Sequence, residues 1–313
     1  MTDGEFRRAF WHLDFLAALG GIRHVKAEHW SVHFEGHQPK AETIVIEDRI
    51  HFPKNHPFLE AYDRLKAIAG DFPIKYTIPS PSMLHLICAV REANYKPTPF
   101  YEAHPEKLFE DLADTWVDAM LALYERGCRY LQFDDTSWGE FCSLEKRAAY
   151  AARGIDVDWT ARRYVEVLNR ILEKKPADMT VTMHICRGNF RSTWFSSGGY
   201  EPVAEILFAH AKVDGFFLEY DTDRAGGFEP LRFIKDQTVV LGLITSKFPE
   251  LEKKEEVKAR IAEASKYVPL EQLCLSPQCG FSSTEEGNIM TEDEEWAKVR
   301  LVREIADEVW GDK

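Results

Sequence analysis

The chain has 313 residues, 45% of them hydrophobic, and carries 39 basic against 52 acidic residues for a net charge of −13. That is ample for one large core, and the negative balance argues against nucleic acid or an anionic membrane surface as a main partner. No apolar run reaches the roughly 18 residues of a membrane span. MTDGEFRRAF lacks the order of a signal peptide, and six scattered cysteines make no disulfide scaffold, so a reducing cytoplasm is the expected setting.

Residues 22–53, with HVKAEHWSVHFEG and ETIVIEDRIHF, predict an inserted antiparallel hairpin. From residue 75 onward, short apolar runs alternate with helical periodicity. KYTIPSPSML (75–84) predicts a strand with a Pro/Ser-rich exit. Residues 105–127 predict a helix with Leu108, Leu112, Trp116, Met120 and Leu123 on one face, and CRYLQFDD (128–135) the next strand. The segment 137–157 reads as a long connection of the kind that shapes a substrate pocket. DWTARRYVEVLNRILEKK predicts a helix before the strand MTVTMHIC (179–186), and EPVAEILFAHA leads to the strand VDGFFLEYD (213–221). TVVLGLITSK (238–247) is a further strand. A helix aligning Val257, Ile261 and Ala264 precedes the last one, LCLSPQCGF (273–281), and TEDEEWAKVRLVREIADEVW closes the chain as a helix. Alternation of this kind implies a parallel sheet. Six strands are counted; an eightfold barrel needs two more before residue 75, and MTDGE reads as the tail of one.

His184 and Cys186 in MHICRGN, Glu219 in FFLEYD and Cys279 in SPQCGF stand at or near the ends of these runs. Two thiolates, an imidazole and a carboxylate are a zinc ligand set, and converging strand ends build the active site of a barrel enzyme. His184 and Cys186, two residues apart on a strand, share one face. Each is compatible alone with ordinary core, whereas Glu219 is costly to bury without a partner or a metal. The pattern by itself leaves a metal site and packed core as alternatives. Asp134 and Asp135, ending LQFDD, suit an amine, a supporting partner or a helix-capping turn. Glu5 in TDGEFRR suits a substrate contact or an ion pair with Arg7 or Arg8. Lys247, ending LGLITSK, suits a proton donor, an anion anchor or a side chain reaching solvent. Trp11, Trp30, Trp138 and Trp194 are candidates for a pocket wall or for core. There is no GxGxxG, P-loop or GxSxG pattern to support dinucleotide, nucleoside triphosphate or serine-hydrolase chemistry.

Together TDGEFRR, LQFDD, HICRGN, FFLEYDTDR, LGLITSK and LSPQCGF resemble, along essentially the whole chain, the catalytic domain of cobalamin-independent methionine synthase, and most closely its short single-domain bacterial relatives. The resemblance implies an α/β fold, a TIM (β/α)8-type barrel of the uroporphyrinogen-decarboxylase and methionine-synthase kind. It would be one catalytic domain over residues 1–313, lacking the family's first strand and helix. It implies a Zn2+-dependent methyl transfer to the thiol of homocysteine, forming methionine, with 5-methyltetrahydrofolate as the family's donor. The zinc ligands carried over are His184 and Cys186 from H-x-C, the strand-end Glu219, and Cys279 from P-x-C-G. Glu5, from the family's G-E motif, and Asp134 correspond to holders of the homocysteine amine. Glu140, six residues beyond Asp134, corresponds to a pterin ligand.

The chain departs from the family at three places. Lys247 aligns with the family's catalytic histidine and becomes the expected proton donor. Leu86 falls near the aromatic that stacks on the folate, and the G-S-x-P-R-like first strand has no counterpart. The alternatives are a zinc thiol alkyltransferase with another donor or thiol, and a non-catalytic zinc-binding remnant. A two-metal hydrolase is disfavoured by the two cysteines. Nothing in the sequence sets an oligomeric state.

Overall fold

The computed structural model describes residues 1–5, 7–27, 34–36, 38, 42–284 and 286–311. Among these, the apolar runs after residue 75 become strands β3 (Tyr76–Pro79), β4 (Tyr130–Asp135), β5 (Thr180–Ile185), β6 (Gly215–Glu219), β7 (Thr238–Ile244) and β8 (Leu273–Pro277), which follow β1 (Gly20–Lys26) and β2 (Glu42–His51). β4 to β7 are buried along almost their whole length, as a parallel sheet covered by helices requires. The six pair in parallel in the order β3-β4-β5-β6-β7-β8, the winding of a βα barrel. Among the described residues no ladder joins β3 to β8. The N-terminal segment runs beside β3, where the Lys75 amide donates to the Met1 carbonyl at 2.9 Å. That is the place expected for the tail of a preceding strand.

β1 and β2 pair antiparallel with a bulge near Gly20, which is the expected hairpin. Most of its connection, Trp30 included, lies outside the described residues. The helix Pro105–Glu125 buries Leu108, Leu112, Trp116, Met120 and Leu123 as its periodicity dictates. Trp116 Nε1 donates to the Pro79 carbonyl at 2.8 Å and fixes this helix to the end of β3. The helix Glu292–Trp310 starts in a capping box formed by Thr291 and Glu294.

The segment 137–157 is not a long loop. It forms the helices Ser137–Cys142 and Leu144–Ala152, joined at Ser143, whose hydroxyl accepts from the Lys146 amide. Sequence periodicity over six residues is too short to reveal the first of these, and every one of its residues is buried. It packs directly on the end of β5: a Cβ at Gly139 would stand 2.3 Å from the Cys186 carbonyl oxygen. Trp138 is buried in this helix and belongs to the core, not to a pocket wall.

Candidate metal centre

β5 places His184 in register with Asp134 of β4 and Phe217 of β6. β6 ends on Glu219, opposite Gly242 of β7, while Cys186 and Cys279 follow the last residues of β5 and β8. Strand ends therefore carry all four expected ligands, and their donor atoms lie within 4.8 Å of one another. Glu219 is held from behind: Arg224 Nη2 donates to Oε2 at 3.3 Å, and the Glu219 amide donates to the Tyr200 hydroxyl at 2.9 Å. Its other oxygen, Oε1, stands 3.8 Å from His184 Nε2. Both atoms are buried without a hydrogen-bond partner among the described residues. Orphaned buried donors and acceptors are costly unless something satisfies them. One nitrogen, two sulfurs and one carboxylate oxygen facing each other in this way fit a small thiophilic cation such as zinc.

The protons of the cluster are unevenly shared. Burial would lower the His184 imidazole, but Cys279, Asp134 and Glu219 outweigh it and carry it up to about 9. Cys186 holds the Cys279 thiol well below its usual value, with help from His184 and Lys247 against burial. Cys186 is raised in turn by Cys279 and by burial, and Glu219 by burial and Cys279. Taking a metal at these four donors is coupled to the release of the protons they hold.

A cavity of about 380 Å³ opens onto His184, Cys186 and Cys279. Asp134 and Glu5 line it. Asp134 accepts from Gln132 Nε2 at 2.7 Å, and burial together with Glu5 raises its carboxyl to about 7, against His184, Gln132 and Arg8. Glu5 Oε1 accepts from Arg8 Nη1 and the Thr77 hydroxyl, each at 2.9 Å. Its φ of +58° is one that L side chains rarely adopt.

The other two expected residues stand behind the cavity wall. Both Glu140 oxygens are engaged, one by Arg91 and one by the Tyr150 hydroxyl, and Arg91 reaches the cavity in its place. Burial would raise Glu140, but Arg91, Lys146 and Tyr150 outweigh it and hold the carboxyl below its usual value. Lys247 is fully buried and does not reach solvent. Its ammonium donates to the Gly188 carbonyl and Asn189 Oδ1 at 2.9 Å each, and to the Thr193 carbonyl at 3.2 Å. Leu86 is buried in the π-helical turn Leu86–Val90, and the aromatic wall of the cavity comes from elsewhere. Trp11 lines it, as do Phe34, Phe190 and Phe195, with Phe34 centred 5.6 Å from Phe190 and 5.2 Å from Phe195. The hairpin connection thus reaches the cavity mouth, where the Glu35 amide donates to the Trp194 carbonyl at 2.9 Å. Asp135, beside Asp134, faces away: Ser80, Ser82 and Ser137 donate to its carboxylate, one contact being the Ser137 amide at 2.6 Å. Sequence reasoning missed Arg91, Lys75 and Asn189. Arg91, a lone cation closing the apolar run LICAV, is the one that carried a readable signal.

Residues 100–308 match the family described as cobalamin-independent synthase, catalytic domain. Two Bacillus subtilis proteins, uncharacterized YxjG and YxjH, are 49% and 48% identical over 313 residues, each match covering 99% of this chain and 80% of the relative. A crystal structure from Listeria monocytogenes, described as a vitamin-B12 independent methionine synthase, is 40% identical with a TM-score of 0.75, covering 100% of this chain and 81% of that one. At 20% identity, a B12-independent methionine synthase from a Shewanella species, solved in complex with selenomethionine, shares the fold with a TM-score of 0.69 over 99% of this chain and 82% of that one. With that agreement along nearly its whole length, the chain belongs to the cobalamin-independent methionine synthase family, as a relative of its catalytic domain.

Proposed function

We propose that the chain is a Zn2+-dependent methyltransferase that methylates the thiol of homocysteine to form methionine, with His184, Cys186, Glu219 and Cys279 holding the metal. The observation that carries this reading is the four-donor cluster with His184 Nε2 and Glu219 Oε1 both buried without a hydrogen-bond partner among the described residues, in a member of this family. When bound, zinc supplies the acidity that keeps a substrate thiol as its nucleophilic thiolate at neutral pH. The protein's own residues do the positioning. Asp134 and Glu5 present carboxylates to the substrate amine from the cavity wall. An ammonium placed between them returns Asp134 to its charged form, because opposite charge favours the carboxylate. Arg91, held by Glu140, and the aromatic wall around Phe195 face the donor. In-line displacement needs reacting atoms about 3–3.5 Å apart, which a rigid wall on each side favours.

Lys247, the expected proton donor, has its three N–H groups engaged, so giving up a proton to the departing donor requires it to leave Asn189 or a carbonyl. We assign it to holding the loop after Cys186. The same reading takes residues 1–313 as one catalytic unit, supported by a single contiguous core that reaches from Leu13 to Ile305. A second reading, the same thiol chemistry with a donor other than a methyl-folate, is favoured by the burial of Leu86 away from the cavity.

The test is methionine formation from homocysteine by zinc-loaded protein across a panel of methyl donors, read by mass spectrometry. Methyl-folate turnover supports the first reading and turnover of another donor the second. Full activity in Cys279→Ala, or no product from any donor, sinks both.

A further inference from the structure

We propose that Lys75 is a carboxylate-binding subsite that holds the acid group of an α-amino acid while Asp134 and Glu5 hold its ammonium. This rests on the reading of the acceptor as an amino-acid thiol. Among the described residues, Lys75 and Arg91 are the lysine and arginine side chains that line the cavity. Arg91 is spent on Glu140. Lys75 is not spent in this way: its ammonium finds one acceptor among the described residues, Gln132 Oε1 at 3.1 Å, and forms no ion pair there. An ammonium has three N–H groups to place. The Phe217 ring, with its centroid 4.2 Å from Nζ, gives one face a favourable but non-hydrogen-bonding neighbour. Burial lowers the lysine's pKa while Asp134 and Glu5 only partly oppose it, as expected of a cation whose pairing is incomplete.

The arrangement also selects the ligand's chemistry. Gln132 accepts from Lys75 and donates to Asp134 at 2.7 Å, so one amide joins a cation and a carboxylate on the same wall. An α-amino acid carries an ammonium and a carboxylate on neighbouring atoms and presents the opposite charges to that pair. Asp134 is in register with His184, so a side chain leaving the amino-acid end runs toward the metal ligands. A simple alkyl thiol or an amine without the acid group leaves Lys75 unanswered. The competing role for Lys75 is to balance the charge of Asp134 and Glu5 without touching a ligand.

Calorimetric binding of L-methionine and of 3-(methylthio)propylamine, which lacks only the carboxylate, to the zinc-loaded protein separates the two roles. Wild type is expected to bind methionine roughly tenfold or more tighter than the amine, the range for hydrogen bonds to charged groups. Lys75→Met is expected to erase that preference by weakening methionine while leaving the amine unchanged, and Lys75→Arg to keep most of it. Lys75→Gln gives the same reading as Lys75→Met should the latter fail to fold. A preference that survives in Lys75→Met or Lys75→Gln, or an equal loss for both ligands, overturns the subsite alone. Binding of neither ligand by wild type overturns the amino-acid acceptor reading and the subsite with it.

Discussion

Lys247 and Asn189 tie together the two loops that carry the cysteine ligands. Lys247 Nζ donates to Asn189 Oδ1 at 2.9 Å, and Asn189 Nδ2 donates onward to the Gly280 carbonyl at 2.7 Å and to Ser283 Oγ at 2.8 Å. The first loop follows Cys186 and the second follows Cys279, so one buried lysine sets their separation.

Lys247→Met leaves the Gly188 and Thr193 carbonyls and Asn189 Oδ1 without their shared donor. Partners that orient metal ligands typically contribute 10–100-fold to affinity. Zinc affinity, read by competition with a chromophoric chelator, is expected to fall by about that factor. Unchanged affinity with reduced methyl transfer would instead make Lys247 the proton donor.

Gly139→Ala tests the contact between the helix Ser137–Cys142 and the metal centre. The added Cβ would meet the Cys186 carbonyl oxygen at 2.3 Å, a clash with backbone that no side-chain rotation relieves. The expected outcome is a loss of roughly 1–3 kcal/mol, the usual cost of overpacking, together with weaker zinc binding. Denaturant unfolding and the chelator titration check the two effects separately.

Glu140→Gln removes the buried charge that faces the Arg91 guanidinium, whose side chain is 9% exposed. Removing one partner of a buried pair leaves the other uncompensated, at a cost of about 3 kcal/mol or more. Urea unfolding should show that loss. A change within about 0.5 kcal/mol, as at an ordinary surface position, would mean the pair is not held as described.

Acid sensitivity follows from His56. Burial lowers its imidazole to about 4, against a hydrogen bond with the Phe15 carbonyl. The unfolded chain takes up the proton near the ordinary value of about 6.5, the folded chain only near 4, so stability is full above pH 6.5 and is lost as pH falls toward 4. The shift corresponds to about 3 kcal/mol. Burial lowers His85 to about 4 as well, and it adds in the same direction. Urea midpoints for wild type and His56→Gln at about pH 7 and pH 4.5 check this: the variant should show the shallower pH dependence. Equal slopes would contradict it.

What was legible in the sequence has a common physical origin. The strands β4 to β7 are short, apolar and buried on both faces along almost their whole length, so composition marks them without any knowledge of their partners. His184, Cys186 and Glu219 stand out because polar groups at the ends of such runs need a reason to be there, and Cys279 joined them through its family motif. The contacts that support them leave no local trace. Asn189 reaches Gly280 across 91 residues and Lys247 reaches Gly188 across 59, and no periodicity encodes either. Glu140 stands at the family's spacing, yet the tertiary structure spends both its oxygens on Arg91 and Tyr150. The helix Ser137–Cys142 reads as part of a connection because its stability comes from burial and not from an amphipathic pattern.

The most direct test of the central claim is the zinc content of purified, folded protein, by plasma mass spectrometry, with Cys279→Ala measured beside it. The account predicts about one zinc per chain in wild type and almost none in the variant, since three remaining ligands lose the thiolate that anchors the set. Folded wild type that takes up no zinc, or a Cys279→Ala variant that retains it fully, would contradict the metal centre.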